Sequence, residues 1–144
     1  MIQRIQTVFL LLAAVSAGLP LWLPYLTGNS ALPIFADGQF NAFDNPGLLG
    51  LCVLSGVLGL AAVFLYSNRP LQARIAGAGA VVSLFALLLL GFTLYQVYAQ
   101  EKANWPLQLG ASLFLSPLAV VLFWLALRAI RKDESLVKSM DRLR

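Results

Sequence analysis

Residues 47–98 read GLLGLCVLSGVLGLAAVFLYSNRPLQARIAGAGAVVSLFALLLLGFTLYQVY. Two apolar runs, 47–66 and 75–98, flank the polar turn SNRPLQAR, and neither run contains Asp, Glu, Lys or Arg. At about 1.5 Å of rise per residue, each run can cross a hydrocarbon core about 30 Å thick. No water reaches backbone amides at that depth. Each run must therefore satisfy its own hydrogen bonds, and a helix does so. A turn this short makes the two helices antiparallel neighbours.

The same signal recurs on both sides. Residues 5–26, IQTVFLLLAAVSAGLPLWLPYL, and 107–127, LQLGASLFLSPLAVVLFWLAL, are also free of formal charge. The expected fold is an all-α membrane protein: a four-transmembrane-helix antiparallel bundle. It forms one domain over residues 1–144, with a charge-dense tail at 128–144. Composition agrees. Mean hydropathy is +0.81 and 11% of residues are charged, where soluble domains hold about a quarter. Arg4, the following apolar residues and Val15-Ser16-Ala17 also fit a signal peptide cut after Ala17. Apolar character continues through Pro20–Leu26, however, so a full span is the expectation.

Charge sets the orientation. With the N-terminus in the cytoplasm, four spans bring Arg4, Arg69, Arg74, Arg128, Arg131, Lys132, Lys138, Arg142 and Arg144 to the inner side. Only Lys102 is left outside, with Asp37, Asp44 and Glu101. That asymmetry is a positive-inside signal for the inner membrane, with both termini cytoplasmic. It also argues against nucleic acid as the partner of these basic residues, because they flank spans rather than line a folded face. Trp22, Tyr25, Tyr95, Tyr98 and Trp105 fall near outer ends of spans, and Tyr66 and Trp124 near inner ends, where amphipathic rings favour the headgroups.

The first outer loop, GNSALPIFADGQFNAFDNP, contains Asp37-Gly38. Two readings are open for it. A two-residue turn would make a short outer β-hairpin pairing Ala36 with Gln39, Phe35 with Phe40 and Ile34 with Asn41. The alternative is an irregular amphipathic loop on the membrane surface.

Chemistry is read by elimination. The chain has no histidine and one cysteine, Cys52, which argues against a disulfide and against haem, zinc or iron–sulfur ligation. No Asp, Glu, Lys, Arg or His lies within a run, which argues against an intramembrane proton relay. Ser16, Ser55, Ser83, Ser112 and Ser116 have no base in reach by sequence, so no nucleophile is expected. Asp37, Asp44 and Glu101 read as solvated loop charges. The expectation is a protein that is not an enzyme, with no cofactor and no metal.

Small residues give a positive signal. Cys52, Ser55, Gly56 and Gly59 on the second run, and Gly79 and Ser83 on the third, have spacings that let helices approach closely in lipid. They serve either packing within the chain or contact with another membrane protein. Pro20, Pro24 and Pro117 sit within or at the ends of runs and predict kinks. If the fourth helix continues into the tail, Leu136, Val137, Met140 and Leu143 share one face and basic residues surround the other. Such a cytoplasmic amphipathic helix suits anionic headgroups or a protein partner.

The opening MIQRIQTVFLLLAA, the mid-chain FLYSNRPLQARI and the ending RKDESLVKSMDRLR resemble those of a family of small, uncharacterised four-span inner-membrane proteins of Bacteroidota. The likeness runs over essentially the whole chain. The family carries a domain-of-unknown-function label, so the resemblance implies topology and localisation and supplies no catalytic residues. The functional expectation is a non-catalytic subunit or accessory factor of a larger membrane complex, in contact with the bilayer and with other integral membrane proteins. The alternative is a small transporter or lipid-binding module with a cavity among the four helices.

Overall fold

The computed structural model describes residues 5–28, 35, 37–100 and 108–141, with side chains to residue 135. Four helices dominate: α1 Ile5–Gly18, α2 Pro46–Phe64, α3 Arg69–Gln100 and α4 Ser112–Asp141. Helix α1 packs on α2 and α4, and α3 packs on the same two. The helices thus form an antiparallel ring, each beside its neighbour in the chain, with α4 closing on α1. The turn between α2 and α3 lies at one end, the inner end in the orientation that charge favours. The segments joining α1 to α2 and α3 to α4 lie at the other.

Local sequence explains where the helices start. The Asn45 side chain accepts from the N–H groups of Gly47 (3.0 Å) and Leu48 (3.3 Å), capping α2, and Pro46 follows at a position that needs no donor. Asn68 accepts from Leu71 N–H (3.3 Å) at the start of α3. Helix α2, helix α3 and residues 112–135 of α4 are each long and apolar enough to cross a membrane. Their outward faces stay apolar. On α3, Val81, Leu84, Phe85, Leu88 and Phe92 are exposed along one stripe, where a bundle in water would carry polar residues.

Two spans differ from the sequence expectation. The run 5–26 stops being helical early. Gly18 ends α1, a 3-10 turn covers Leu19–Leu21, and Pro20 and Pro24 remove the donors a continuing helix would need. By Leu26 the chain is a strand. The run 107–127 starts late, because Gln108–Leu109 is also a strand, and α4 then passes through Pro117 without a break to Asp141. The tail is therefore helical to that residue. Leu136, Val137 and Met140 lie on this part of the backbone, with side chains outside the described set, as is Leu143 entirely.

The outer end is closed by a three-stranded antiparallel sheet, in the order β2 Gln39–Phe40, β1 Leu26–Thr27, β3 Gln108–Leu109. Leu26 pairs with Phe40 and with Leu109. This corrects the expected hairpin: the partner of Phe40 is Leu26, not Phe35, and Ile34 and Ala36 lie outside the described residues. Asp37-Gly38 is still a turn, with Gly38 at φ +74° and its N–H donating to Phe35 C=O (2.9 Å). It returns the chain to β1, where Gly28 N–H donates to Gly38 C=O (2.9 Å). The rings of Phe35 and Phe40 do meet, 6.3 Å between centroids, and Tyr25 stacks on Phe40 at 5.7 Å. These rings and Leu26 seat the sheet on Leu48, Leu90 and Val97 of α2 and α3.

The core of the inner half is organised by one ring. Phe123 of α4 is fully buried. It faces Gly79 of α3, where a Cβ would come within 2.6 Å of its Cε1, and Gly59 of α2, where a Cβ would come within 3.2 Å of its Cζ. The Gly59 Cβ would also lie 2.9 Å from Ala14 Cβ of α1. Glycine at 59 and 79 is thus required by contact, not by backbone conformation. Leu10, Ala13, Ala62, Ala76 and Ala126 complete this cluster. Gly56 differs: its Cβ would meet only Ala14 O, at an ordinary 3.7 Å.

These contacts separate two substitutions that look alike in sequence. Gly59→Leu is expected to lower unfolding stability in detergent by about 1–3 kcal/mol or to prevent folding, through overpacking. Gly56→Leu is expected to cost under about 1 kcal/mol, because its side chain points toward a groove. Equal losses for both, measured by thermal or chemical denaturation, would contradict this arrangement.

Candidate functional site

Between the apolar cluster under the sheet and the apolar cluster around Phe123 lies a layer of serines. Each helix brings one serine to it. Ser16 of α1, Ser55 of α2, Ser83 of α3 and Ser116 of α4 line one cavity, with Cys52 and small residues Ala17, Ala86 and Ala119 between them. Ser16, Ser55 and Ser83 are buried. The cavity holds about 10 Å³.

Hydrogen bonds define most of the hydroxyl protons. Ser83 Oγ donates back to Gly79 C=O (2.8 Å) and Ser116 Oγ to Ser112 C=O (3.1 Å), each one turn earlier in its own helix. Ser55 Oγ and Ser83 Oγ are in hydrogen-bond contact between α2 and α3. Since the Ser83 proton is committed to Gly79, Ser55 is the donor in that pair. Near the outer side, Tyr25 OH contacts Cys52 Sγ (3.5 Å). Ser112 Oγ donates to Leu23 C=O (2.6 Å), and Gly110 N–H donates to Tyr25 C=O (2.9 Å). A Cβ at Gly110 would run into the Pro24 carbonyl, so the start of α4 is held tightly to the chain leaving α1.

A second polar layer lies at the inner end, beyond Phe123. Gln72 is fully buried and its Nε2 donates to Ala62 C=O (2.9 Å). Its Oε1, and both amide atoms of the buried Gln6, have no hydrogen-bond partner among the described residues. An apolar plug of Phe123, Leu10 and alanines therefore separates two sets of uncharged polar groups.

The residues singled out in sequence come together, but facing inward. Cys52, Ser55 and Gly59 on α2 and Gly79 and Ser83 on α3 are all buried inside the bundle, so their spacing serves packing within the chain. Gly56 and, from its other side, Cys52 border an open groove of about 340 Å³ between α1 and α2, with Val15, Gly18, Trp22, Val53 and Val57. Asp37 and Asp44 are exposed at the sheet, and Glu101 lies outside the described residues. The convergence of four serines was not visible as a set, although each was noted as lying in a span. Runs that are apolar all round carry no periodicity to show which serine points inward.

The described lining of the cavity offers hydroxyls and one thiol, and no carboxylate, amine or imidazole. What it can do is hydrogen-bond. The fold and this site define a class: a helical bundle with three membrane-length helices, capped by a small sheet, with an uncharged polar interior. Within that class the chain belongs to the family described as Domain of unknown function (DUF4293), which matches residues 2–143. No curated protein and no solved structure matches the chain.

Proposed function

We propose that this protein is a non-catalytic integral protein of the bacterial inner membrane, acting as a subunit or accessory factor of a larger membrane assembly. The observation that carries the reading is the contrast between interior and exterior. The interior is filled: Phe123 sits against two glycines, and the central cavity of about 10 Å³ has no room for a transported solute. Its described polar groups are uncharged, and Ser55 and Ser83 are hydrogen-bonded to one another across α2 and α3. The exterior is a set of long apolar faces, and α4 extends about three turns past the membrane-length segment's apolar residues into a basic end. Function then rests on outer surfaces and on the helical tail rather than on chemistry within.

A second reading has one observation in its favour. The groove between α1 and α2 is wholly apolar in its lining and opens beside the exposed Trp22, which suits a lipid chain. Purification in mild detergent separates the two. The accessory reading expects a stoichiometric integral membrane partner to accompany the chain. A retained lipid with no protein partner favours the lipid-binding module instead.

Orientation follows from charge. Arg69, Arg74, Arg128, Arg131 and Lys132 lie at the end of the bundle opposite Asp37 and Asp44. A reporter active only in the periplasm is expected to stay silent when fused after Arg144 and to report when inserted at Gly38. The reverse pattern would contradict the placement.

A further inference from the structure

We propose that the inner ends of α3 and α4 form a site for one anionic phospholipid, its phosphate held between Arg74 and Arg131. The packing of α3 on α4 brings these two residues to one seam. A Cβ at Gly77 of α3 would lie 4.0 Å from Leu127 Cδ2 of α4, so those residues stand opposite each other. Positions three or four apart share a helix face. One turn inward from Gly77 is Arg74, and one turn inward from Leu127 is Arg131. The two arginines therefore flank the same seam at the same level. Both are exposed, and neither has an ion pair among the described residues. Arg128, one turn outward from Arg131, holds its guanidinium 5.8 Å from the centroid of the exposed Trp124 ring.

Charge and surroundings name the ligand. Arg74, Arg128, Arg131 and Lys132 are exposed cations, while the nearby carboxylates, Asp133 and Glu134, are half-buried. Asp133 is two residues from Arg131, which turns it to the far side of α4. A guanidinium fork matches phosphate oxygens in both geometry and charge. The cations also stand at the foot of apolar stripes. Val81, Phe85, Leu88 and Phe92 continue from Arg74 along α3, and Trp124, Val121 and Phe114 continue from Arg128 along α4, all of them exposed. A ligand seated here meets cations at one end and hydrocarbon along its length. That is the chemistry of a phospholipid, not of a soluble phosphate or an acidic protein. Trp124 marks the headgroup level, and its ring holds Arg128 in place there. Basic pockets between membrane helices bind anionic headgroups in this way. The site rests on the bundle spanning a membrane, and it stands whether or not the protein is an accessory subunit.

The test adds phosphatidylglycerol or phosphatidylcholine, with identical acyl chains, to the purified full chain in mild detergent. Thermal unfolding and native mass spectrometry read the binding. Phosphatidylglycerol is expected to raise the midpoint by roughly 3 °C or more and to leave one lipid retained per chain, and phosphatidylcholine to do neither. Arg74→Gln and Arg131→Gln are each expected to weaken phosphatidylglycerol binding about fivefold. Arg142→Gln and Arg144→Gln together, farther along the chain, are expected to leave it unchanged. Equal effects of the two lipids overturn the proposal. So does equal weakening by the Arg142 and Arg144 changes, which is diffuse attraction to a basic tail. Inorganic phosphate reproducing the shift would assign the patch to a free anion. An acidic protein that copurifies and is released by Arg74→Gln, with no effect of phosphatidylglycerol, would assign it to a protein. Either result overturns the lipid site. Alkaline extraction of the chain from vesicles would overturn the membrane reading and the site with it, whereas retention without a preference for phosphatidylglycerol overturns the site alone.

Discussion

Phe123 fixes the distance between helices, and the rest of the interior follows from that distance. Its ring needs a wall without side chains, and Gly59 and Gly79 supply it from two helices at once. Because α2 and α3 run antiparallel, one turn outward from these glycines are Ser55 and Ser83, which meet in a hydrogen bond. About one turn inward are Ala62 and Ala76, both fully buried. A single register, set at the glycines, thus places a polar layer above the ring and a close alanine contact below it. In lipid there is little hydrophobic gain from bringing apolar helices together, so dense packing and interhelical hydrogen bonds have to hold them. This ladder supplies both.

The parts of the fold legible in the sequence were those written in long segments. The charge-free runs at 47–66 and 75–98, the short turn at Ser67–Arg74 and the small-residue spacing on α2 and α3 have direct counterparts in the structure, while the runs at 5–26 and 107–127 are helical only in part. The sheet was less legible, for a physical reason. Its strands are two residues each, too short for an alternating pattern, and Leu26-Thr27 and Gln108-Leu109 are hidden at the margins of apolar runs. Asp37-Gly38 is a strong local turn signal, but a turn fixes only its own geometry. The choice of Leu26 over Phe35 as the partner of Phe40 depends on how the loop is seated, with Tyr25, Phe35 and Phe40 packed over Leu48 and Leu90. Direction was the other missing quantity. Sequence spacing showed that Cys52, Ser55 and Gly59 share a face, and only packing showed that this face looks inward.

That inward turn bears on function. Had the small-residue stripe faced lipid, it would have been the natural contact for another helix. Its use inside the chain leaves the exposed faces of α3, the groove at Gly56 and the helical tail as the surfaces open to a partner or to lipid. The interior meanwhile has the character of a structural core with polar layers. Gln6 and Gln72 at one end and the four serines nearer the other bracket the apolar plug at Phe123.

The central claim is that contact between the Phe123 ring and a side-chain-free helix surface sets the bundle. Thermal stability of Gly79→Ala, Phe123→Leu and the double variant, in one detergent, tests it most directly. Alanine at 79 would collide with Cε1 and Cζ of the ring, and leucine at 123 lacks both atoms. The account predicts that the double variant is more stable than Gly79→Ala alone, with the two changes compensating by about 1 kcal/mol or more. Strictly additive losses, or a Gly79→Ala variant as stable as the parent, would contradict it.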